Sequence, residues 1–179
     1  MILYLLFILI LVVFIVGLGV EFFNIIFRGY APFISTQSKV INKIFSEFTL
    51  TKDFSGSVYE LGCGKAGFLK TFHDYYPQAK LIGIEYSLLP FFITKIQQSL
   101  NPKTKINIIR KNMFKVDLKE ADVIYCFLDI YMMEKLEQKF KTECKPGTLI
   151  ISYCFSMPTL KPFKTATNEN RSRIYFYKI

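Results

Sequence analysis

Ser57-Val58-Tyr59-Glu60-Leu61-Gly62-Cys63-Gly64-Lys65-Ala66-Gly67 is the stretch whose reading decides the fold. Residues 57–61 read as a strand running into a glycine loop. Residues 68–75 read as a helix, which ends before Pro77. Upstream, Asp53-Phe54-Ser55-Gly56 is a turn that sets the start of the unit. Downstream the alternation continues. Residues 80–85 (KLIGIE) are an apolar strand, and Pro90 sits near the start of a helix reaching residue 100. Asn101-Pro102 breaks that helix. Residues 106–110 and 122–128 are two further strands, and 131–142 a helix with Met132, Met133, Leu136 and Phe140 on its inner face. Lys145-Pro146-Gly147 turns the chain into a strand at 148–155, and the remainder fits a hairpin with its turn near Asn168-Glu169-Asn170. Strands and helices in this order predict an α/β domain: a doubly wound, mostly parallel, Rossmann-like sheet carrying a C-terminal antiparallel hairpin. In such sheets a ligand binds beyond the carboxyl ends of the strands, where the strand order reverses.

Gly62, Gly64 and Gly67 have GxGxxG spacing, which by itself also serves dinucleotides. Two carboxylates narrow the ligand. Glu60 stands two residues before the first glycine, where it would repel a pyrophosphate but suits a cationic amino-acid group. Glu85 ends the next strand, about 20 residues beyond the glycines, where a carboxylate accepts hydrogen bonds from ribose hydroxyls. A cationic amino acid joined to a nucleoside is S-adenosyl-L-methionine. The expected cofactor loop is Glu60, Gly62, Cys63 and Gly64, with Glu85. Asn112 and Met113, after the third strand, offer an amide and an apolar face to an adenine ring; a place for Met113 in the core stays open. His73 is the only histidine and the four cysteines are scattered, so no metal site is expected and the thiols read as free.

Residues 1–20 carry no charged side chain and are long enough, at about 1.5 Å per helical residue, to cross a bilayer. No basic n-region precedes this run and no small-x-small site follows it, which speaks against a cleaved signal. Residues 1–27 therefore read as a transmembrane anchor, 28–55 as a linker with a short helix capped by Ser35 or Thr36, and 56–179 as the catalytic domain. Arg28, Lys39 and Lys43 follow the anchor, which places the domain on the cytoplasmic side or in the equivalent organelle compartment. The formal net charge of +9 is spread along the chain without a nucleic-acid-binding signature, so its expected partner is the lipid bilayer and no nucleic acid is expected.

Several further stretches carry a family likeness. Gly29-Tyr30-Ala31-Pro32-Phe33-Ile34-Ser35-Thr36, Tyr59-Glu60-Leu61-Gly62-Cys63-Gly64 and Ile82-Gly83-Ile84-Glu85-Tyr86-Ser87 are three of them. The most specific are Met132-Met133-Glu134-Lys135-Leu136-Glu137-Gln138-Lys139-Phe140, Lys145-Pro146-Gly147 and Cys154-Phe155-Ser156-Met157-Pro158. Together they resemble the membrane-anchored protein-lysine methyltransferases that include the ATP synthase c-subunit and adenine nucleotide translocase lysine methyltransferases. The resemblance implies a class I methyltransferase fold and methylation of a lysine on a membrane protein. It adds Tyr86 to the cofactor site, and Asp129 and Tyr131 as candidate catalytic residues. It also implies a substrate pocket drawn from Phe33, Thr36, Phe127 and Phe155. Lys65-Ala66 stands where the family commonly has Asp-Gly, Asn112 where it has an acid, and Phe114 where it has a Trp. Two other activities stay open at this point: a small-molecule or lipid methyltransferase of the same fold, and a membrane-tethered cofactor-binding module.

Overall fold

The computed structural model describes residues 1–28, 35–100 and 105–179, arranged as two compact units. The first contains helix α1, Ile2–Arg28. Its segment Ile2–Val20 is long and apolar enough to cross a membrane, and none of it is buried within the molecule. This continuous helix agrees with the apolar run read from the sequence and extends past it.

The second unit, Ile34–Ile179, is a seven-stranded sheet with helices on both faces. In chain order its elements are α2 (Ser38–Glu47), β1 (Ser57–Leu61), α3 (Gly67–Tyr75), β2 (Lys80–Glu85), α4 (Leu88–Leu100) and β3 (Ile106–Arg110). There follow β4 (Ala121–Cys126), α5 (Ile130–Glu143), β5 (Leu149–Tyr153), β6 (Lys164–Thr167) and β7 (Arg173–Lys178). The sheet order is β3-β2-β1-β4-β5-β7-β6. The first five strands are parallel, and β7 is antiparallel to both β5 and β6. The sequence therefore placed the five parallel strands and the existence of the terminal hairpin, but not the bounds of β6. The order reverses between β1 and β4, which sets the ligand-binding crevice at Leu61 and Cys126.

Alternation along each strand divides the core in two. Val58, Leu81, Ile108, Tyr125 and Ile151 face α2 and α3, with Phe45, Phe68 and Phe72 among them. Leu61, Ile84, Ile124, Cys126 and Ile150 face α5, through Met133, Leu136 and Phe140. A period of two in each strand and of 3.6 in each helix is what produces these two layers.

Three expectations change. The strands expected at 122–128 and 148–155 are shorter, because Phe127, Leu128, Cys154 and Phe155 leave the ladder to build loops. Helix α2 is not capped by Ser35 or Thr36: Gln37 is its N-cap residue, without a side-chain bond, and the Thr36 hydroxyl pairs instead with the Tyr125 hydroxyl at 2.7 Å. That helix, grouped with the linker by sequence, buries Val40, Ile41, Ile44 and Phe45 in the core of the second unit.

Candidate active site

The carboxyl end of β1 turns through Gly62 and Gly64, both with positive φ (71° and 48°), a region that L side chains avoid. The amides of Gly62 and Cys63 donate to the Ile84 carbonyl at 2.8 and 2.9 Å, tying the loop to β2. A methyl group at Gly62 would lie 3.0 Å from Leu128 Cδ2 and 4.0 Å from Met113 Cε. The loops after β1, β3 and β4 thus converge on the backbone of one glycine. Further along, Ala66 adopts a left-handed conformation (φ 54°), fully buried, immediately before α3. It is Ala66, not Gly67, that makes the second tight turn, so the GxGxxG spacing does not carry its usual role at the third glycine.

Glu85 is 8 % exposed at the end of β2. Its two oxygens accept from the amides of Gly64 (3.0 Å) and Ser87 (2.8 Å). The carboxylate therefore stands between the glycine loop and the start of α4, joined to both. Glu60, 5 % exposed, accepts from the Leu69 amide at 3.2 Å, in the first turns of α3. Burial pushes its carboxyl up to about 8, and the amides of Leu69 and Phe68 only partly oppose that rise. Cys63 is buried with its sulfur against the position a Gly83 side chain would take, and burial raises its thiol far above the ordinary range. It packs as an inert thiol in the loop rather than as a nucleophile.

The other expected residues are distributed around this loop. Tyr86 follows Glu85 directly and is 37 % exposed, with its carbonyl accepting from Arg110 Nε. Asn112 Oδ1 accepts from the Phe114 amide at 2.9 Å, which makes it the cap of a short 3-10 turn at Met113–Lys115. Asp129 is the N-cap of α5, accepting from the Met132 amide at 2.9 Å, and Tyr131 is 75 % exposed in the first turn. Phe127 packs on Tyr153 with ring centroids 4.7 Å apart. Phe155 is partly exposed and follows Cys154, whose φ is 71°. The strain at Cys154 and a hydrogen bond from Ser152 Oγ to the Phe155 carbonyl turn that loop back over the sheet end. Phe33 lies outside the described residues. No group of three or more metal-ligating side chains occurs among the described residues.

Three contributors have little trace in the sequence. Thr94, fully buried in the middle of α4, donates to the Gly64 carbonyl and fastens that helix to the glycine loop. Its one signal is a hydroxyl among the apolar residues of the first half of the helix. Leu128 abuts Gly62, and nothing in its local sequence marks it. Tyr125, stacked on Phe68 with centroids 4.3 Å apart, receives Thr36 from the segment before α2.

Comparison with known proteins follows this geometry. Residues 60–164 match the model of the ANTKMT methyltransferase domain. The chain belongs to the ANTKMT methyltransferase domain family. A relative from Saccharolobus islandicus, a protein-lysine N-methyltransferase, is 28 % identical over 159 residues, spanning 84 % of this chain and 94 % of the relative. Among solved structures, an RNA methyltransferase from Salinibacter ruber, in complex with S-adenosyl-L-homocysteine, superposes with a TM-score of 0.73. Its identity is 20 %, over 82 % of this chain and 94 % of that one. An S-adenosylmethionine-dependent methyltransferase from Aquifex aeolicus superposes with a TM-score of 0.64 at 11 % identity, over 78 % of this chain and 89 % of that one. These two share the fold.

As a member of the ANTKMT methyltransferase domain family, the chain is a methyltransferase that uses S-adenosyl-L-methionine. Its residues fit that cofactor. A side chain at Gly62 would fill the space between Leu128 and Met113, so backbone alone lines that part of the crevice. An acidic side chain stands at each of the two strand ends flanking it, Glu60 on β1 and Glu85 on β2.

Proposed function

We propose that this protein transfers a methyl group from S-adenosyl-L-methionine to the ε-amine of a lysine on a membrane-associated protein. The observation that carries the reading is the relative named as a protein-lysine N-methyltransferase, similar along nearly its whole length. The apolar helix at Ile2–Val20 supports the membrane part of it.

The cofactor supplies an electrophilic methyl on a sulfonium. The chain's own residues do the rest. Glu85, held in place by the amides of Gly64 and Ser87, would accept hydrogen bonds from the ribose hydroxyls. Glu60, Gly62, Cys63 and Gly64 would hold the amino-acid end, the Glu60 carboxylate balancing its ammonium charge. Tyr86, Asn112 and Met113 would hold the adenosine. Direct displacement needs alignment above all, and a fixed crevice supplies it.

The incoming amine must be neutral to attack. Phe127 and Phe155, with Thr36, would line the approach of the amine, and an apolar setting disfavours the ammonium form. Asp129 and Tyr131, at the start of α5, orient the amine as its proton leaves. Confinement of α1 and the substrate to one bilayer raises their effective concentration.

The test is incubation of the full chain with cofactor labelled in its methyl group and with membrane fractions. Label recovered as methyl-lysine after acid hydrolysis of protein is the expected result. Label in the lipid extract or in small molecules rejects the reading. Glu85→Ala is expected to weaken cofactor binding roughly 10- to 100-fold, the scale of a lost hydrogen bond to a charged group. Isothermal titration measures it.

A further inference from the structure

Helix α4 buries Pro90 and Thr94 against the sheet, and Thr94 fastens it to the glycine loop. Its outer face is exposed among the described residues. Leu88, Leu89, Phe92, Ile96 and Leu100 are between 48 % and 80 % exposed. Spacings of three and four residues set Leu89, Phe92, Ile96 and Leu100 in one stripe along the helix. An exposed row of large apolar side chains on a single helix is a contact surface for something.

Charge says what. From residue 86 to residue 115 the sequence contains no Asp or Glu. Lys95 lies on α4 beside the stripe, with its Nζ 5.8 Å from the Phe91 ring centroid. β3 is an edge strand packed beside α4, and Lys105, Arg110 and Lys111 flank it, all exposed. Acidic side chains gather at the amino end of the parallel strands instead: Asp53 precedes β1, and Asp117, Glu120 and Asp122 lie before or at the start of β4. An apolar stripe with a cationic border and no acid suits an anionic lipid surface. Such helices lie in the membrane plane with the apolar face in the acyl boundary and the basic groups among the headgroups.

We infer that α4 is a second membrane contact, an interfacial helix that lays the catalytic unit on an anionic bilayer through Leu89, Phe92, Ile96 and Leu100. The inference rests on the membrane placement proposed above and is independent of the lysine substrate. Leu88 and Leu89 begin three residues beyond Glu85, so the contact sets the cofactor crevice close to the lipid surface, where a membrane protein's lysine is presented.

The chain contains no tryptophan, so a single introduced one reports without background. Full-length Phe92→Trp and Ile96→Trp are reconstituted into phosphatidylcholine–phosphatidylglycerol vesicles whose acyl chains are brominated either near the headgroup or near the methyl end. Phe163→Trp, exposed beside β6, is the control. Flotation with the vesicles reports α1 separately. The expected result is blue-shifted emission at positions 92 and 96 and stronger quenching by the shallow bromines, consistent with a depth of about 5–10 Å. Position 163 should stay unquenched. Three results overturn the inference: flotation without quenching at 92 and 96, equal quenching at all three positions, or a blue shift in lipid-free detergent that grows with protein concentration. The last would assign the stripe to a second copy. Loss of flotation itself would instead remove the membrane placement on which the inference rests.

Discussion

Glu60 is a carboxyl group held in an apolar layer beside the amides that open α3, and its chemistry follows from that position. Its folded value, about 8, lies above the ordinary 4.5. The folded chain therefore binds more protons than the unfolded chain between those values, and stability falls as pH rises from 4.5 through about 8. Glu60→Gln, which cannot ionise, should flatten that slope; urea midpoints compared at the two ends of the window measure it. The same residue links the cofactor to pH. A cationic amine brought against Glu60 favours the carboxylate, so cofactor binding should release a proton below pH 8. Titration calorimetry in buffers of different ionisation enthalpy should detect that proton in the native chain and lose it in Glu60→Gln. Glu60 was legible from its place before the glycines. Ala66 was not: the sequence shows an alanine where a glycine is usual, and only the backbone reveals that it takes the left-handed turn. A Cβ there costs roughly 1–2 kcal/mol, offset in part by burying its methyl, worth about 0.8 kcal/mol.

Two helices each fasten a loop through one buried side chain. Helix α4 reaches the glycine loop through the hydroxyl of Thr94. Thr94→Val keeps the volume and removes the donor, which leaves the Gly64 carbonyl without its buried partner. The expected cost is about 1–3 kcal/mol of stability, together with weaker cofactor binding; denaturation and titration of the same variant read both. Helix α5 holds the loop after β5 through Glu137. Its carboxylate, 1 % exposed, accepts from the amides of Thr159 (3.0 Å) and Leu160 (2.8 Å) and from the Thr159 hydroxyl, and pairs with Lys141. Burial alone would raise this group, but the bonds from Lys141 and Thr159 outweigh it and bring the carboxyl down to about 2. A depressed value stabilises above 4.5, and the contribution disappears as pH falls from 4.5 through about 2. Glu137→Gln should lose about 1.5–3 kcal/mol at neutral pH and show a shallower acid limb in its thermal melts. Pro90 and the Asn101-Pro102 break predicted α4, and periodicity predicted α5; neither carried information about which loop each helix fastens.

The molecule consists of two units with different physical roles. Residues 35–179 contain both core clusters and all the residues described around the crevice, whereas the described part of the first unit contains helix α1, whose apolar segment Ile2–Val20 is unburied. A chain lacking residues 1–33 should therefore still unfold cooperatively and bind S-adenosyl-L-methionine. It should also float with vesicles far less than the full chain. Circular dichroism melts, cofactor titration and flotation of the two chains side by side measure the three outcomes.

Some of this was determined by sequence alone. Alternating periods of two and 3.6 residues, punctuated by Gly, Pro and Asn, place the strands and helices, because each element must turn one apolar face to a shared core. The glycine run with Glu60 before it and Glu85 after it indicates the ligand, because backbone access and charge sign are local properties. What only tertiary structure decided are the meetings of residues far apart in the chain: Gly62 with Leu128, Gly64 with Thr94, Tyr125 with Thr36, and Glu137 with Thr159. Each depends on which strands become neighbours and on how loops close, and those are set by the packing of the whole sheet. The exposed stripe on α4 belongs with them: its apolar residues do not say by themselves which way they face, and among the described residues the fold leaves them outside, beside the edge strand β3.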